Sequence, residues 1–152
     1  MQITEERTSD KTRELDGVIE KYHATLGDFV KGNPRPFEEL FSQRDDLVLA
    51  NPFNPIARGW REAKETMERA AAQYRDGVAV GFESLAKYVD EGLAFIVEIE
   101  RFNAKIGKRQ DAAPIALRVT TIFRRENDTW KVIHRHADPI TTVQPWESVV
   151  KS

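Results

Sequence analysis

The chain has 152 residues, enough for one domain with a core and a small internal pocket, and short of what two domains need. Cysteine is absent, which excludes disulfide scaffolds, thiol nucleophiles and cysteine-bound metals. Lys and Arg number 23 against 25 Asp and Glu, so the net charge is −2 and no basic field exists to displace counterions from nucleic acid. No run approaches the ~20 apolar residues of a bilayer crossing, so no membrane partner is expected. The N-terminal string Met1 to Arg7 lacks the basic-then-apolar order of a secretory leader, and a cytoplasmic location is the expectation.

Between Ser9 and Lys31 the apolar residues Leu15, Val18, Ile19, Tyr22, Leu26, Phe29 and Val30 recur at three- and four-residue steps. That spacing predicts an amphipathic helix, which Gly32 and Asn33-Pro34 end. Pro36 opens a short second helix carrying Phe37, Leu40 and Phe41. A brief strand follows at Leu47 to Ala50. Asn51-Pro52-Phe53-Asn54-Pro55 then reads as a turn, because two prolines oppose regular pairing. Trp60 to Tyr74 reads as a third helix with Trp60, Ala63, Met67, Ala70, Ala71 and Tyr74 inward. From Val78 the period becomes two, giving strands at Val78–Tyr88, Leu93–Phe102, Ile115–Arg125 and Trp130–Asp138. Asp90-Glu91-Gly92 and Glu126-Asn127-Asp128-Thr129 supply hairpin turns. One domain over 1–152 is expected, its core at about 9–140, with tails at 1–8 and 141–152.

Helices first and antiparallel strands later imply an α+β fold, three helices packed on one face of a curved sheet. Alternation assigns Leu93, Phe95, Val97 and Ile99 to the buried face, with Leu117, Val119, Thr121 and Phe123 beside them. Glu98, Glu100, Arg101, Arg118 and Arg124 then pair across strands on the outer face, among Ile96, Phe102 and Ile122. So apolar an outer face implies a self-association surface. In the last strand the set Trp130, Val132, His134, His136 and Asp138 is taken as inward, since the alternate set carries Lys131 and Arg135. Inward histidines admit three readings: structural side chains bonded to carbonyls, the polar lining of a small-molecule cavity with Thr121, or metal ligands with Asp138. His23 reads as surface or helix packing, and Trp60 as a core plug.

The strings Leu117-Arg118-Val119-Thr120-Thr121-Ile122-Phe123-Arg124-Arg125 and Trp130-Lys131-Val132-Ile133-His134-Arg135-His136-Ala137-Asp138, with the Leu47–Gly59 entry to the third helix, are similar to the nuclear transport factor two-like superfamily. The resemblance is to its SnoaL-like and ketosteroid-isomerase-like members and spans about Val18 to Ile140. It implies a cone in which helices cover a curved sheet around a pocket, and dimerisation through the convex sheet face. It also implies that alternate residues of the last strand line the pocket, here His134, His136 and Asp138. The isomerases' general base corresponds to Asn51, an amide that cannot accept a proton at neutral pH. Thr121 matches the family's protonated aspartate, and Tyr22 its first-helix tyrosine. The expectation is a homodimeric small-molecule-binding protein with no cofactor and no metal. Its ligand would be lined by Asn51, Trp60, Met67, Phe95, Val97, Val119, Thr121, Phe123, His134 and His136. The alternatives are a cyclase, isomerase or dehydratase transferring protons through His136 and Asp138, and an assembly module without ligand.

Overall fold

The computed structural model describes residues 2–151, with side chains from Asp10 to Lys151. Helix α1 runs Gln2–Phe29, α2 Arg35–Glu38 and α3 Gly59–Ala71. The strands are β1 Val48–Asn51, β2 Asn54–Arg58, β3 Tyr74–Val89, β4 Leu93–Ile106, β5 Ala113–Glu126 and β6 Thr129–Asp138. They form one six-stranded sheet in the order β2-β1-β6-β5-β4-β3, antiparallel except where β1 lies parallel to β6. The helices occupy its concave face. The expected α+β cone is therefore the architecture found.

Local chemistry explains the junctions. Helix α1 stops where Gly32 adopts φ +97°, and its last carbonyls accept bonds from the N–H groups of Lys31, Gly32 and Asn33. At the start of β3 the Gly77 N–H bonds the Val30 carbonyl at 3.0 Å, and a Cβ on Gly77 would sit 2.4 Å from that oxygen. Only glycine fits there. The core forms between α1, α2 and the sheet from Leu15, Tyr22, Phe37, Phe41, Leu49, Phe123, Trp130 and Val132.

Four sequence expectations are corrected. The Asn51–Pro55 segment is not wholly a turn: Asn54 opens β2, which pairs with β1 through Leu49↔Ala57 and Val48↔Arg58. As the sheet edge, β2 tolerates Pro55 without losing an interior ladder bond. Tyr74 starts β3 rather than ending α3. In β4 the buried set is Ala94, Ile96, Glu98, Glu100, Phe102 and Ala104, so Phe95 and Val97 lie on the convex face with Leu93 and Ile99. The phase is the reverse of that expected because Glu98 and Glu100, charged yet inward, each have an interior partner.

The last correction concerns β6. Trp130 and Val132 do face inward, but the register jumps between Phe123↔Val132 and Ile122↔His134, which leaves Ile133 as an extra residue. Beyond this bulge the phase is reversed, with Arg135 and Ala137 buried and His134, His136 and Asp138 outward. The bulge falls where β6 changes neighbours. Val132 exchanges bonds with Leu40 and Ser42, whereas His134 to His136 pair with β1.

Candidate functional site

The cone's polar centre is Arg135, which the bulge turns inward. Its guanidinium meets the Glu100 carboxylate end-on, Nη1 to Oε2 at 2.7 Å and Nη2 to Oε1 at 2.8 Å. The Glu100 side chain is 0% exposed and that of Arg135 8%. Nη1 also donates to the Tyr22 hydroxyl, which lies 2.8 Å from Thr121 Oγ1. With Arg135 donating to Tyr22 Oη, the Tyr22 proton is directed at Thr121, so the four side chains form one chain of bonds from β4 through β6 and α1 to β5. The guanidinium also stacks 5.4 Å from the Phe37 ring centre and 5.7 Å from that of Tyr22. Burial opposes the charge on Arg135, but the Glu100 carboxylate outweighs it and keeps the guanidinium protonated. Burial also pushes the Tyr22 hydroxyl far above its ordinary range, so it remains a neutral donor.

In front of this network lies a cavity of about 30 Å³ whose walls include Leu26, Phe29, Phe37, Leu49, Met67 and Leu117. It has room for about two waters. Arg135 is the one cation in its lining, which contains no acid. Tyr74 borders it, its hydroxyl pushed by burial up to about 12. The rim is the Asn51-Pro52-Phe53 corner. Asn51 Oδ1 accepts the N–H groups of Phe53 at 2.8 Å and Asn54 at 3.0 Å, so this amide shapes the turn. Phe53 is 44% exposed, with its ring centre 6.0 Å from that of Tyr74.

Of the expected lining residues, Asn51 and Met67 border the cavity. Thr121, Val119 and Phe123 are buried on the concave face but lie behind its wall. Trp60 packs against the core from the start of α3. Phe95, Val97, His134 and His136 are on the opposite face of the sheet. There His134 Nδ1 donates to the Val48 carbonyl at 2.9 Å, and His136 Nε2 lies 3.0 Å from Asp138 Oδ2. Asp138 is clamped by Arg118 at 2.7 and 3.1 Å. His136 and Asp138 therefore have no access to the cone, and the interior proton shuttle built on them is withdrawn. Among the described residues no group of three or more His, Cys, Asp or Glu is placed to hold a metal ion.

Two interior polar side chains lie outside the candidate set read from the sequence, Arg135 and Glu100. The available signal was that Glu98 and Glu100 share an alternation set with Ile96 and Phe102, which is odd for a solvated face. Glu98 is 4% exposed and both its oxygens lie 2.9 Å from His23 Nε2, whose ring stacks on Phe82 at 3.8 Å. Each inward carboxylate thus meets a nitrogen base from another element.

The model of the SnoaL-like domain matches residues 18–141. The chain belongs to this family. Among solved structures, a nuclear transport factor 2-like superfamily protein from Salmonella enterica serovar Typhimurium is similar at TM-score 0.74 and 17% identity, over 92% of this chain and 98% of that one. A protein provisionally assigned as a scytalone dehydratase, from Novosphingobium aromaticivorans, aligns at TM-score 0.71 and 15% identity, over 91% and 99%. A ketosteroid isomerase-like protein from Erwinia carotovora atroseptica aligns at TM-score 0.69 and 16% identity, over 86% and 96%. At these identities the likeness establishes the fold alone. No curated protein matches the sequence. No described helix is long and apolar enough to cross a membrane.

Proposed function

We propose that this SnoaL-like protein binds a small, mostly apolar molecule in the mouth of its cone and performs no proton transfer on it. The observation that supports this reading is the cavity itself: apolar walls on every side and one buried, still partly uncommitted guanidinium among them. Ligand pockets have this composition, a hydrophobic wall with a few placed polar groups. The groups that line it do not suit acid–base catalysis at neutral pH. Asn51 is an amide and Tyr74 holds its proton, and the carboxylate behind the lining, Glu100, is spent on Arg135.

At about 30 Å³ the cavity is closed to anything larger than water, so binding requires the rim to open. Phe53, exposed on its turn, is the side chain that moves. Phe53→Ala is expected to raise affinity for small cyclic ketones and phenols in calorimetric titrations, and Ala70→Phe, which fills the mouth, to abolish binding. A family of such probes that binds neither wild type nor Phe53→Ala defeats the reading.

The second element of the proposal is a homodimer through the convex sheet face. Strand register aligns Tyr88, Phe95, Ile122 and His134 in one row, with Val97 and Thr120 in the next. Leu93 and Tyr88 are 50% and 52% exposed, a concentration of apolar area that a solvated sheet does not carry without use. Light scattering should give twice the chain mass, and Phe95→Glu a monomer. A mass well above two chains would favour the assembly-module alternative.

A further inference from the structure

Resting on the cone as a ligand site, we infer that it selects neutral molecules presenting a hydrogen-bond-accepting oxygen to Arg135, a ketone or aldehyde carbonyl above all, and that Glu100 is the residue that excludes carboxylates. A guanidinium carries five N–H donors. Two are taken by Glu100 and one by Tyr22, which leaves two for a ligand on a side chain that borders the cavity. A buried arginine ordinarily signals a carboxylate or phosphate ligand. Here that role is already filled from within the protein. The Arg135–Glu100 pair is neutral as a unit, and the cavity lining contains no second cation.

An incoming carboxylate would therefore be one unpaired negative charge among Leu26, Phe29, Phe37 and Leu49, with Glu100 a few ångströms behind the guanidinium. Burying such a charge without a counter-charge is strongly disfavoured. A carbonyl of the same shape adds no net charge and accepts from one of the two uncommitted N–H groups of Arg135. The neutral Tyr74 hydroxyl at the same wall offers a further donor. The chain of donation from Arg135 through Tyr22 to Thr121 locks the guanidinium, so it cannot turn from Glu100 toward an anion without breaking buried bonds.

The test is a matched pair of near-isosteric probes, acetophenone and benzoate, titrated into the wild-type protein by NMR at neutral pH. Acetophenone should bind at least about tenfold more tightly, a difference of ~1.4 kcal/mol. In Glu100→Gln the guanidinium keeps its charge and loses its counter-charge, so benzoate affinity should rise and the order reverse. Equal or tighter binding of benzoate to wild type overturns the inference while leaving the pocket intact. Binding of neither probe, to wild type or to Phe53→Ala, removes the pocket itself. Should Glu100→Gln fail to fold, the double variant Arg135→Met, Glu100→Leu removes both charges together. It should still reject benzoate, as an uncharged apolar pocket does, and should bind acetophenone about tenfold more weakly than wild type because the guanidinium donor is gone; an unchanged affinity for acetophenone refutes Arg135 as the carbonyl's partner.

Discussion

Two arginine–carboxylate pairs lie on opposite faces of the same sheet. Arg135 and Glu100 join β6 to β4 on the concave side, with side chains 8% and 0% exposed. Arg118 and Asp138 join β5 to β6 on the convex side, at 50% and 17%. Both make two short nitrogen–oxygen bonds, so bond geometry does not separate them. Solvent does. The convex pair gives up little hydration when it forms and is screened by salt. The interior pair has surrendered its hydration, so each member depends on the other for its counter-charge.

The widest separation between the two faces is expected on removing one partner. Arg135→Leu or Glu100→Leu should each cost about 3–5 kcal/mol of unfolding free energy in urea denaturation, because each strands a buried charge. Replacing both together should cost far less than the sum, since the apolar pair strands nothing. Additive losses would show that the two side chains act independently and would dissolve the contrast between the faces.

A third carboxylate sharpens it from the other direction. Glu38 in α2 is 6% exposed, and its Oε1 is buried without a hydrogen-bond partner. Burial, helped by the nearby Glu68, pushes its carboxyl above the usual range. A carboxyl raised in the folded state binds its proton more tightly there than in the unfolded chain. Stability is therefore lost as pH rises from about 4, the unfolded value, through the folded one. Glu38→Gln should add about 1 kcal/mol at pH 7 and nothing below pH 4, read as the difference between two denaturation curves across pH. A loss at pH 7 would mean that the carboxylate has a cationic partner in solution, with Lys64 the nearest candidate on α3.

The overall fold was legible because its signals are local. The stripe of α1, the stop at Gly32, the third helix and the hairpin turns all depend on residues within a few positions of one another. The site was not, and the reasons are specific. Ile133 is an ordinary apolar residue, and nothing in its neighbourhood announces a bulge; the bulge comes from the exchange of strand partners along β6. That one extra residue moved Arg135 in and His134, His136 and Asp138 out. In β4 the inward Glu98 and Glu100 meet partners 75 and 35 residues away in sequence, distances over which periodicity carries no information. Asn51 borders the cavity, and its amide oxygen is engaged by the turn. The same residue that argued against isomerase chemistry is there to shape the mouth.

The smallest effect belongs to the convex pair. Burial pushes the Asp138 carboxyl up, but bonds from Arg118, from the Ile140 N–H and from His136 outweigh it and hold it below its ordinary range. A depressed carboxyl stabilises the fold above its unfolded value near 3.9, and that contribution disappears as pH falls through the folded value. Asp138→Asn should therefore cost no more than about 1 kcal/mol at pH 7, less in high salt, and nothing near pH 2. Thermal unfolding at pH 7 with and without added salt reads this directly. A loss of 3 kcal/mol or more, insensitive to salt, would mean that this face is desolvated in solution. In the proposed dimer the convex sheets bury one another, so the same measurement on Phe95→Glu separates burial by a second copy from strength intrinsic to the pair. If the large loss persists in the monomeric variant, exposure in the single chain does not predict the energetics of this pair, and the distinction drawn between the two faces fails.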